Sequence, residues 1–273
     1  MSRLPPGPRT PRLVQSRRWS REPLPFLEQC RARYGATFTL RLRHLGTWVL
    51  LSDPEDVKRI FSADTNDLGV GVPNLALRPV LGAHSVMLSE EPEHMARRKL
   101  MLPRFHGDRM REDAEVMTEL ARREVRAWPV GEPFRLWPRM QALTQEVVMR
   151  AVFGDDQGRL DRLRALLTNL TDAVNDEGRL RKLALFGPGW LERSRGWRQA
   201  MDPVEEEVLA EVRRRRAEGE EGRRDAVSIL IEARNEDGSP LSEKELRDEL
   251  LTLLTDGPTS SSLAWVFERP DSW

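Results

Sequence analysis

Cysteine is almost missing from this chain. A single one, Cys30, occurs in 273 residues, which excludes an internal disulfide and any cysteine-based zinc site. No run approaches the roughly 18 consecutive apolar residues that a membrane-spanning helix requires. The first 25 residues, MSRLPPGPRTPRLVQSRRWSREPLP, carry arginine and proline but no apolar core, so they do not read as a secretory signal. An excess of charge of either sign is missing too. Lys+Arg and Asp+Glu both number 44, so no net field draws the chain to nucleic acid or to an anionic membrane. A cytoplasmic, reducing location follows as the expectation.

What is present is a helical pattern behind a short β element. Hydrophobic residues make up 39% and charged residues 32%, enough apolar content for a sizeable core. LPPGP (Leu4 to Pro8) reads as an extended lead-in. LPFLEQCRARYG predicts a short helix with Leu27, Cys30 and Tyr34 on one stripe, closed by Gly35. In TFTLRLRHLGTWVLLS, Phe38, Leu40 and Leu42 alternate with polar neighbours, the period of a strand, and a hairpin turns around RHLG. Ser52 or Asp53 caps a helix whose first residue is Pro54. Residues 66 to 90 read as a long loop with at most a short helix.

Beyond residue 91 the pattern is almost all helix. Apolar stripes run through Met110 to Ala121, Leu136 to Ala151, Leu160 to Val174, and Met201, Val204, Val208 and Val212. The glycine-rich stretch near 178 to 190 reads as a connection. AVSILIEARNEDG predicts another short helix, and Ser242 with Glu245 forms a capping box that opens a long apolar one. In that last helix Gly257 and Pro258 predict a kink or break, followed by Thr259, Ser260, Ser261 and Ser262. Two readings stand side by side. One is a helix opened so that hydroxyls hold water or a polar ligand; the other is a plain turn, with Asp256 or Thr259 capping a new helix.

EPEHMARRKLMLPRF places His94 and Arg98 at i and i+4, on one face of a helix. Such a pair can clamp a carboxylate or phosphate through charge-assisted bonds. An arginine-rich solvated helix also presents such pairs by chance. His44, His84 and His106 fall in separate elements without ligand spacing.

Taken in order, these segments resemble the front part of a soluble, bacterial-type cytochrome P-450, a haem-thiolate monooxygenase. The resemblance runs from about Leu4 to Arg269. Its most specific piece is H-x-x-x-R-(K/R)-x-x-x-P-x-F, here His94, Arg98, Lys99, Pro103 and Phe105. The resemblance implies a mainly α fold with a small N-terminal β element, truncated, in which residues 1–273 form one incomplete domain. It implies haem as cofactor, with His94 and Arg98 on its propionates. Gly257 would admit dioxygen and Thr259 would relay protons. It further implies insertion of one oxygen atom into a small organic substrate, with electrons from a ferredoxin or reductase.

Two departures qualify that expectation. TDGPTSSSLAW is two residues short of the family pattern, has Asp256 at a normally small position, and lacks the acid before the threonine. The sequence also ends before the family's Glu-x-x-Arg and its cysteine loop; Cys30, on the stripe of a short helix, reads as a buried small hydrophobe. With no thiolate to push electron density onto iron, no metal ligand is expected in this chain and it is expected to be inactive alone. The alternative is a non-enzymatic helical binding or interaction protein derived from the same fold.

Overall fold

A computed structural model describes residues 4–63, 74–101, 108–154, 158, 160–219 and 225–267, with side chains at 76, 108–113 and 256–267 left out. In chain order the helices and strands are α1 (Arg12–Arg21), α2 (Pro23–Tyr34), β1 (Thr37–Leu42), β2 (Gly46–Leu51), α3 (Pro54–Phe61) and α4 (Arg78–Leu81). There follow α5 (Glu93–Met101), α6 (Asp108–Arg126), α7 (Leu136–Phe153), α8 (Asp161–Asn175), α9 (Glu177–Phe186) and α10 (Pro188–Arg193). Last come α11 (Arg195–Glu218), α12 (Ala226–Glu232) and α13 (Glu243–Phe267), with short 3-10 turns at Leu75–Leu77 and Val86–Leu88. Among the described residues no helix is long and apolar enough to cross a membrane. The chain is mainly helical with one two-stranded sheet, as the sequence predicts.

Contacts divide the chain into two compact units: residues 1–79 with 171–200, and residues 80–170 with 201–273.

In the first unit β1 and β2 pair antiparallel, with Thr37 opposite Leu51 and Leu42 opposite Gly46. Phe38, Leu40 and Leu42 bury against Phe26 and Cys30 of α2, so the predicted stripe of α2 is half right. Phe26 is its buried anchor, whereas Leu27 and Tyr34 pack at the margin. Gly35 closes α2 at φ 94°, a conformation that only glycine adopts without strain.

The outer edge of β1 does not end in water. The Thr39 amide donates to Pro6 O at 2.9 Å, the Arg41 amide to Gln15 Oε1 at 2.9 Å, and the Arg43 amide to Ser16 Oγ at 2.8 Å. Every second residue of the strand edge is therefore satisfied by the lead-in or by α1. This explains α1, which the hydrophobic pattern misses. Its buried residues are Gln15 and Ser16, polar side chains acting as a third strand rather than an apolar stripe.

The stretch 178–190 is also corrected: it is two helices, not a connection. Asp176 caps α9 by accepting from the Arg179 amide at 2.7 Å. Gly187, at φ 81°, ends α9, and Pro188 opens α10. The glycines that suggest a loop sit at the helix ends or in a first turn.

In the second unit α13 packs along α7, α13 burying leucines and α7 burying methionine, valine and phenylalanine side chains. Val204, Val208 and Val212 of α11 are fully buried, as the stripe predicts. Burying each such side chain contributes about 1.5–3 kcal/mol. The capping box is present: the Ser242 amide donates to Glu245 Oε2 at 2.9 Å, and the Glu245 amide donates back to Ser242 Oγ at 3.3 Å. The expected interruption at Gly257–Pro258 is not seen as a break. The α13 backbone stays helical to Phe267, its first turns held by buried Leu246, Leu250, Leu251 and Leu254. Proline removes one backbone bond from such a helix without ending it when packing holds the rest.

Candidate functional site

The site grows from the N-terminus of α5. Glu91 stands just ahead of the helix, and its carboxylate accepts from the Met95 amide at 3.3 Å while contacting His94 Nδ1 at 3.0 Å. One acid thus caps the helix and fixes the histidine ring. With Nδ1–H directed at Glu91, Nε2 is the ring atom left for another partner; it donates when the ring is charged. His94 is half-buried and Arg98, one turn on, is exposed. Arg98 makes no ion pair among the described residues. The two predicted residues therefore share a helix face in the predicted order. Pro103 and Phe105, the rest of the motif, lie outside the described residues.

Between them sits Arg97, which faces the other way. Its guanidinium donates to Glu93 Oε1 at 2.8 Å and approaches Glu245 at 3.5 Å and Glu249 at 3.4 Å, the last two on α13. Arg97 thereby joins the helix that carries His94 and Arg98 to the long apolar helix.

The segment leading into α5 is fastened to α13 as well. The His84 amide donates to Asp248 Oδ2 at 2.8 Å and the Val86 amide to Glu249 Oε2 at 3.3 Å. Thr252 and Ser85 join hydroxyls at 2.7 Å. The approach leaves no room for a side chain at residue 82: a Cβ on Gly82 would lie 2.0 Å from Asp248 Oδ1, at a backbone φ of +80°. Asp248, Glu249 and Thr252 are all buried. Burial pushes the Glu249 carboxyl up to about 7, with Asp248 adding to the rise and Val86 and Arg97 opposing it.

Sequence reasoning misses Arg97, Asp248 and Glu249. A signal was available: Arg-Asp-Glu at 247–249 interrupts a run of leucines in a helix that packs on more than one side. The predicted Gly257 and Thr259 lie further along α13, about 12–15 Å beyond Glu249 at about 1.5 Å per residue. Their helical backbone is described, while their side chains lie outside the described residues. The predicted oxygen groove therefore has no geometry here.

Cys30 is far from ligand character. It is buried in the first unit against Phe38 and Leu40, and burial raises its thiol pKa, with Arg18 opposing. Among the described residues no group of three or more His, Cys, Asp or Glu is placed to hold a metal ion.

Comparison with known proteins gives a consistent answer. A family model described as Cytochrome P450 matches residues 3–268. A putative cytochrome P450 135B1 of Mycobacterium tuberculosis is 37% identical over 273 aligned positions, covering 97% of this chain and 57% of that protein. A putative cytochrome P450 138 of the same organism is 32% identical over 279 positions, covering 98% of this chain and 60% of that one. Among solved structures, retinoic acid-bound cyanobacterial CYP120A1 superposes with a TM-score of 0.76 at 19% identity, covering 96% of this chain and 59% of that one. The P450DA heme domain does so with a TM-score of 0.70 at 20% identity. The chain spans about 57–60% of the length of these curated relatives.

Proposed function

The chain belongs to the cytochrome P450 family, and from that premise we propose that it carries the propionate-binding part of a haem monooxygenase. The observation that supports this most directly is the α5 face. His94 has one ring nitrogen fixed by Glu91, and Arg98, one turn away, has no ion pair among the described residues. Such donors fit a pair of carboxylates. They do not fit the iron, for which the only thiol in 273 residues is the buried Cys30.

In this reading His94 Nε2 and the Arg98 guanidinium hold the two haem propionates. Bound haem supplies the redox chemistry that activates dioxygen. Gly257 would leave space for dioxygen, and the Thr259 hydroxyl would relay protons. The substrate is a small organic molecule, and a ferredoxin- or reductase-type donor supplies electrons in the cytoplasm. This chain by itself does not complete the reaction, because no thiolate is set to face the metal.

The test is a haem titration followed by Soret absorbance, then reduction and exposure to carbon monoxide. His94→Ala and Arg98→Ala are each expected to weaken haem binding about tenfold, the size of one charge-assisted bond. Unchanged affinity in both variants would remove the propionate assignment. A strongly red-shifted, thiolate-type band in the carbon monoxide form would show sulfur ligation and overturn the inactivity of the chain alone.

A further inference from the structure

The first unit contains a cleft of about 680 Å3 that the haem reading does not use. One wall is the extended lead-in, which hydrogen bonds pin in place. Thr39 donates from its amide to Pro6 O and from its hydroxyl to Pro5 O, at 2.9 and 2.8 Å. The Gln15 side-chain amide donates to Pro8 O at 3.2 Å and Thr10 O at 2.7 Å. The floor is apolar, formed by Phe26 and Cys30, with Tyr34 beside them.

The rim is cationic. Three of the ten lining residues are arginine (Arg9, Arg18 and Arg33) and none is acidic, in a chain that carries 44 residues of each sign. The Arg18 guanidinium lies 4.5 Å above the Phe26 ring and donates to Gln29 Oε1 at 2.9 Å. Its Nε donates to the exposed Glu22, just outside the cleft, at 3.1 Å. Stacking and hydrogen bonding therefore hold this cation in place before any ligand arrives. Arg33 lies 5.6 Å from the centre of the Tyr34 ring, and neither it nor Arg9 makes an ion pair among the described residues.

A cleft of this size, with an apolar floor and convergent donors of one sign, has the character of a small-molecule site. We propose that it binds a small organic carboxylate with a hydrocarbon body. The carboxylate lies among Arg9, Arg18 and Arg33, and the hydrocarbon lies along Tyr34 and the narrow exposed edges of Phe26 and Cys30. Because Phe26 and Cys30 are already packed and the wall is already pinned, binding orders little besides the Arg9 and Arg33 side chains. None of its lining residues is one assigned to the haem propionates.

The experiment is calorimetric titration of the 273-residue chain with 4-phenylbutyrate and with its neutral counterpart 4-phenylbutanamide. The acid is expected to bind saturably and at least tenfold more tightly than the amide, with the difference shrinking as salt is added. Arg33→Gln, a change on an exposed side chain, is expected to cost about tenfold for the acid and nothing for the amide. Arg18→Gln should do the same, and it provides a second reading. The control is Arg213→Gln, which removes one positive charge from an exposed ion pair with Glu243 outside the cleft. Equal affinity for acid and amide, no saturable binding of the acid, or an equal loss in the Arg213→Gln control would each overturn the proposal.

Discussion

Glu211 on α11 and Glu249 on α13 are almost equally buried, at 6% and 2% exposure, yet burial leaves them in opposite states. Around Glu211 the chain supplies two guanidiniums: Arg215 Nε donates to Oε1 and Arg214 Nε to Oε2, each at 2.8 Å. Burial raises the carboxyl pKa and the arginine bonds more than reverse the rise, so Glu211 stays below its ordinary value. Around Glu249 the chain supplies one guanidinium, at 3.4 Å, and one amide, at 3.3 Å, with the acid Asp248 next door. There burial wins and the pKa climbs to about 7. A buried charge survives where short, charge-assisted bonds surround it; where the partners are fewer and longer, the proton returns.

The harshest way to break this comparison is to remove the cation from the better-served acid. Arg215 is fully buried and also donates to Asp225 at 2.7 Å and to Phe153 O at 2.5 Å. Arg215→Met leaves both acids short of a partner and is expected to cost about 3–5 kcal/mol, read as a lower urea midpoint. That is a large share of a typical domain's stability.

The comparison sharpens under pH. Glu249 has a raised folded-state pKa, so the folded chain holds its proton where the unfolded chain has lost it. Its contribution to stability is full below the ordinary carboxyl value of 4.5 and is lost as pH rises through about 7. Glu211 runs the other way: its contribution is present above 4.5 and is lost as pH falls below that value. Glu249→Gln is therefore expected to flatten the decline between pH 5 and 8, by on the order of 2–3 kcal/mol. At pH 8 the variant should be no less stable than the parent, since Arg97 keeps Glu93 and Glu245. Thermal midpoints measured across that range decide it. A variant that loses stability at pH 8 would show that the ionised carboxylate is a net asset.

The smallest effect is expected where charge meets backbone in water. Ser242→Ala breaks the exposed capping box at the start of α13, for about 1 kcal/mol. An equal loss at pH 5 and pH 8 would separate that cap from the pH response of Glu249, two turns along the same helix.

These residues also show what was legible beforehand. The valine stripe of α11, the β1–β2 hairpin, Asp53 capping α3, and the placement of His94 and Arg98 on one helix face all follow from local periodicity and spacing. Elements whose logic is not local escaped. Arg97 and Glu249 are 152 positions apart, and nothing near either one announces the other. Gln15 and Ser16 look like surface residues because their partners are strand amides, which leave no mark in a hydropathy pattern. Gly187 looked like loop because a glycine that ends one helix and begins another resembles a glycine that ends both.

The covered edge of β1 bears on how the protein can be handled. Residues 6, 15 and 16 are a stopper, occupying positions where a second hairpin would otherwise add itself. Trimming the chain back to the start of α2 would leave three adjacent donors on a strand with an apolar face, an invitation to strand exchange between molecules. Residues 6–16 therefore keep that edge from recruiting a second molecule, and a shortened version of the protein should retain them.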